Sequence, residues 1–116
     1  MAHVRILFLN GRNGKPITNT NVNVSSTVYR TDSKGYIKMD VSPNANIVAN
    51  PWGGFARSCN ADGMPAHYDV QAIITTGISE SNACGKPNMQ AHPGELIVAY
   101  RKETFVEWLK SFKDFG

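Results

Sequence analysis

From residue 14 to residue 49 short runs that alternate apolar and polar with a period of two, as in 21–24 and 37–41, are broken by polar clusters about every 10 residues. This is the written form of strand, turn, strand. Residues 4–10 predict a first strand with Val4, Ile6 and Phe8 on one side and Leu7 and Leu9 on the other. A strand of a plain two-layer sandwich leaves one side wet, so a second covering element is required here. Gly11-Arg12-Asn13-Gly14 follows as a turn, because Asn and Gly both tolerate positive φ. Val22 and Val24 then point inward while Asn21 and Asn23 point out, and residues 27–30 form the next strand after Ser25-Ser26. In Asp32-Ser33-Lys34-Gly35 the Asp accepts from the turn's backbone donors and the Gly takes the strained position. Ile37, Met39 and Val41 alternate with outward Lys38 and Asp40, and after a turn at 43–46 residues 47–50 form a further short strand.

The second half is less regular. Residues 51–65 read as a long Gly-rich loop carrying Trp52 and Phe55. Residues 68–78 fit a strand or a helical turn ended by Gly77, and the β-branched run 73–76 favours the strand. Residues 79–94 read as loop, and 95–101 as a last strand that is apolar on both faces like the first. The tail predicts a helix over about 104–113. Thr104 with Glu107 makes a capping box, and Phe105, Trp108, Leu109 and Phe112 share one face. So short a helix does not hold alone in water. Its apolar face is expected to dock on the first and last strands or to serve self-association. The whole, 1–116, is expected to be one domain.

Composition narrows the function classes. Charged residues are 18% of the 116 and the net charge is +3, with the basic residues scattered and no run of five. That distribution argues against a nucleic-acid surface, which clusters its cations on one face. No stretch has the length and apolarity of a membrane span, so no membrane insertion is expected. The two cysteines, Cys59 and Cys84, lie 25 positions apart in loop-like sequence without a C-x-x-C spacing. A disulfide between them is the expectation, and closing such a loop contributes about 3–4 kcal/mol. That pairing points to an oxidising compartment, periplasmic or extracellular. Since 1–4 enter a strand almost at once, the expected form is a mature chain whose leader is replaced by a start codon.

The series Gly14-Lys15-Pro16-Ile17, Asn21-Val22-Asn23-Val24, Thr31-Asp32 to Gly35-Tyr36-Ile37, Val41 to Pro43 and Ile47-Val48-Ala49 resembles the carboxypeptidase regulatory-like domains. The resemblance implies a prealbumin-like (transthyretin-like) seven-stranded antiparallel Greek-key β-sandwich, here with the short C-terminal helix. Cys84-Gly85-Lys86-Pro87, the 93–98 segment and the aromatic tail look like those of small exported bacterial proteins that carry this domain alone. The family implies a non-catalytic accessory, adhesive or carbohydrate-facing module.

Candidate chemistry agrees with that silence on catalysis. There is no G-x-S-x-G elbow, and the acids for a glycosidase pair would have to be drawn from Asp62, Asp69 and Glu80. His67 lies three positions from Met64, and His92 three from Met89, donor types that suit copper; the histidines are otherwise dispersed, and no metal or other cofactor is expected. Trp52, Phe55 and Tyr68 flank the Gly-rich loop and are the binding candidates, by stacking on a sugar or a proline-rich peptide; the competing role is to plug one end of the core. The expected function is a non-enzymatic exported module that binds a partner protein or surface glycan through the loops 51–67 and 79–93. The alternatives are an assembly protein, monomer or homodimer, that self-associates through edge strands or the aromatic helix, and a small metal-binding protein or hydrolase.

Overall fold

A computed structural model describes residues 1–51, 56–59, 67–80, 84–85 and 90–102. In chain order the elements are β1 (Ala2–Asn10), β2 (Asn21–Val24), β3 (Thr27–Arg30), β4 (Tyr36–Val41), β5 (Asn46–Pro51), β6 (Ala56–Ser58), β7 (His67–Asp69), α1 (Val70–Thr75), β8 (Ile78–Ser79) and β9 (Glu95–Lys102). They form two sheets. The first has the order β4-β1-β9-β6, with β8 also paired to β9; the second has the order β3-β2-β5-β7.

The period-two pattern explains the core. Val4, Ile6 and Phe8 from β1, Ile37 from β4 and Leu96, Val98 and Tyr100 from β9 face Val22, Val24, Ile47, Ala49 and Tyr68 of the second sheet in one buried cluster. The turns match their chemistry. Asp32 Oδ1 accepts the N–H groups of Lys34 (2.8 Å) and Tyr36 (2.9 Å). Gly35 has φ +88°, and a Cβ there would lie 2.7 Å from the Pro16 Cβ.

Three expectations change. Among the described residues there are nine strands, not seven, and the first sheet is mixed. β1 pairs antiparallel with β4 but parallel with β9, from Arg5↔Glu95 to Asn10↔Tyr100. The two strands that are apolar on both faces are therefore neighbours in the middle of one sheet, as parallel strands buried on both sides should be. Second, residues 70–75 are helical. Val70 and Ile73, three apart, are buried against the core, and the N–H of Gly77 (φ +78°) reaches the carbonyls of Ala72 and Ile73. Burial of one helical face outweighs the β-branched preference that favoured a strand. Third, part of the cover on the outer face of the first sheet comes from nearby: Leu7, Leu9 and Ile97 are buried together with Ala91, and Tyr36 packs against them. The expected helix 104–113, with Phe105, Trp108, Leu109 and Phe112, lies outside the described residues.

Cys59 and Cys84 stand at disulfide distance, with sulfurs 2.13 Å and Cα atoms 5.4 Å apart. Cys59 is buried and its N–H donates to the Ala99 carbonyl of β9. Beside Cys84, Gly85 presses on the turn after β1, where a Cβ would come within 2.7 Å of the Arg12 carbonyl. A cysteine pair in this position indicates an oxidising, non-cytosolic setting. Among the described residues no helix is long and apolar enough to cross a membrane.

Candidate functional site

Polar side chains gather on the outer face of β1, β4 and the start of β9, and the ladder explains why. The N–H of Phe8 donates to the Gly35 carbonyl at 3.0 Å, which makes every second β1–β4 pair from there hydrogen-bonded. Leu7↔Tyr36, Arg5↔Lys38 and His3↔Asp40 are then the pairs without mutual hydrogen bonds, whose side chains approach closest. His3 and Asp40 contact through Nδ1 and Oδ1. Arg5 and Lys38 are like charges directly opposite one another, an arrangement that costs stability unless something answers it.

Glu95 answers it for Arg5. It is the neighbour of Arg5 across the parallel pairing and only 4% exposed. Its Oε2 accepts the Tyr36 hydroxyl at 2.8 Å and Arg5 Nε at 3.4 Å, and its Oε1 accepts the His92 N–H at 3.2 Å. Burial alone would raise the Glu95 carboxyl's pKa, but these bonds and the Arg5 charge outweigh it and hold it below the usual value. Burial first, then the bond to Glu95, raises the Tyr36 phenol, which stays protonated and donating. Asp32 is likewise held low, by the Tyr36 and Lys34 N–H groups. Both carboxylates are thus ionised and committed to hydrogen bonds, which suits anchoring and not proton transfer near neutral pH.

Lys34 and Lys38 have no carboxylate within ion-pair distance among the described residues. With Arg5, Tyr36, Asp32 and Ser33 they line an open groove of about 460 Å³. A second groove of about 400 Å³, between His3, Asp40, Pro93 and Gly94, shares Arg5 and Lys38 with the first. Arg5 is paired with Glu95 beneath it, while Lys34 and Lys38 meet the groove's own carboxylate, Asp32, only at longer range.

Of the residues expected to bind, Tyr68 is 4% exposed and part of the core, so its ring offers no open face for stacking. It lies with Tyr100, whose hydroxyl donates to the Ala49 carbonyl. Burial pushes both phenols up, and the Glu80 charge adds to both. Trp52 and Phe55 lie outside the described residues, as do Met64 and Met89. His67 is exposed on β7 and His92 in the turn before β9. Among the described residues no three His, Cys, Asp or Glu side chains cluster as a metal site. Sequence reasoning did not bring Arg5, Lys34, Tyr36 and Glu95 together. The available signal was Arg5 interrupting an apolar strand and Glu95 opening another.

Comparison with protein-family models, with curated proteins and with solved structures gives no match.

Proposed function

We propose that this chain is an exported, non-enzymatic β-sandwich module of the carboxypeptidase regulatory-like, prealbumin-like kind. It binds an anionic group of a partner protein or surface glycan on the outer face of β1 and β4. The observation that carries this reading is the groove in which Arg5, Lys34 and Lys38 converge while a single carboxylate, Asp32, lines it with them. Glu95 holds Arg5 and Tyr36 in place, so the groove is prearranged on strands and a tight turn. The two-sheet core and the cysteines at bonding distance support a small module built for a periplasmic or extracellular setting.

Isothermal titration with an oligogalacturonate, with a glutamate-rich peptide and with neutral dextran tests it. Binding of at least one acidic probe, none of dextran, and loss of affinity between about 0.05 and 0.5 M salt are expected. Lys34→Glu, at an exposed turn position, should weaken binding about 10-fold without changing the melting temperature. Equal binding of dextran, or an unaffected Lys34→Glu variant, refutes the reading.

A further inference from the structure

Among the described residues β4 is an edge strand, and only a short window of its edge is open. By the ladder parity above, the backbone N–H and C=O groups of Ile37, Met39 and Val41 face β1, and those of Tyr36, Lys38 and Asp40 face away from the sheet. Tyr36 is already closed off: its N–H donates to Asp32 Oδ1 and its carbonyl accepts the Asp32 N–H, both at 2.9 Å. Beyond the other end, the Ser42 carbonyl accepts the Ala45 N–H at 3.1 Å. Among the described residues the outward backbone donors and acceptors of Lys38 and Asp40 are unpaired, with Met39 at the centre of the window.

The strand that fits such a window antiparallel must place an acid opposite Lys38 and a base opposite Asp40. Read from its own N-terminus it runs base, apolar, acid. Lys38-Met39-Asp40 is that sequence. We infer that β4 pairs with the β4 of a second copy about a two-fold axis through Met39. Lys38 then faces the partner's Asp40 in a hydrogen-bonded pair, and the converse, giving four main-chain hydrogen bonds. Met39 meets the partner's Met39, Ile37 meets the partner's Val41, and the closed-off Tyr36 stands opposite the partner's Ser42. The incoming carboxylate gives Lys38 a partner at ion-pair distance that it lacks among the described residues, and since His3 touches only Oδ1 of Asp40, the other oxygen is available for it. A lysine in mid-edge ordinarily discourages strand addition. Here it selects a partner, because only a strand with an acid at the matching position neutralises it. The pairing is isologous and closes at two copies. The pairing takes Lys38 from the anion groove, which keeps Arg5 and Lys34.

The contact is small, so association on the order of 100 μM is expected, within reach of sedimentation velocity from about 10 μM to 1 mM. Lys38→Asp and Asp40→Lys each turn two attractive pairs into repulsive ones. Each should weaken self-association about 10-fold or more while far-UV circular dichroism and melting temperature stay near those of the unaltered chain. An equimolar mixture of the two variants should recover the dimer, since each then supplies what the other lacks, and so should the double exchange in one chain. A chain that stays monomeric to 1 mM overturns the inference. So does a dimer indifferent to either single exchange, or a mixture that fails to associate although both variants are folded.

Discussion

At the scale of single residues, the tightest constraints lie where one atom more would not fit. Gly77 combines φ +78° with a site where a Cβ would run into the His92 carbonyl. Gly77→Ala should therefore destabilise by about 2 kcal/mol or more, read as a lower urea midpoint at unchanged slope. Glu95 carries a pH signature. Its carboxyl is held below the ordinary glutamate value of 4.5 in the folded chain, so its stabilisation is fully present above that pH. It is lost as pH falls through the depressed folded value. Glu95→Gln should cost about 1–3 kcal/mol at pH 7, because it replaces charge-assisted bonds from Tyr36 and Arg5 by weaker ones. Its disadvantage should shrink in urea titrations taken progressively below pH 4.5. The role of Asp32 was readable in advance, since an Asx turn is a matter of four consecutive residues. That of Glu95 was not, because its partners Tyr36 and Arg5 lie 59 and 90 positions away. No local pattern reports a contact set by strand pairing.

At the scale of elements, period-two alternation located β2 and β4, and short apolar runs located β1, β5 and β9, to within a few residues, because each buries one face or both. It failed at 70–75. Ile73, Ile74, Thr75 and Thr76 favour strand locally, yet the core takes Val70 and Ile73 as one helical face, and Gly77 ends the turn. Ile73→Ala should cost about 2–5 kcal/mol, like other fully buried isoleucines, and should be checked by chemical denaturation. Ile74→Ala, at a half-buried position, should cost clearly less. A strand with alternating exposure would give a different pair: Ile74 and Thr76 would share the costly side. Alternation also says nothing about which strand lies beside which. The parallel neighbour of β1 could not be deduced from it, and with that neighbour went the polar cluster on the outer face.

At the scale of the whole molecule, a modest core is reinforced by the link between Cys59 and Cys84, which joins the edge of the first sheet to the segment against the turn after β1. Reduction, or Cys59→Ser with Cys84→Ser, should lower the unfolding free energy by about 3–4 kcal/mol. Guanidinium unfolding with and without reductant measures it. The parallel pairing of β1 with β9 has a consequence for the order of assembly. The middle of the first sheet joins Arg5 to Glu95, so β1 can pair early with β4 but gains its parallel neighbour only with the segment from Glu95 onward. The β2–β3 hairpin needs no such delay. A pairing that closes a loop spanning most of the chain slows folding, so refolding followed by stopped-flow fluorescence is expected to be slow relative to chains whose contacts are local.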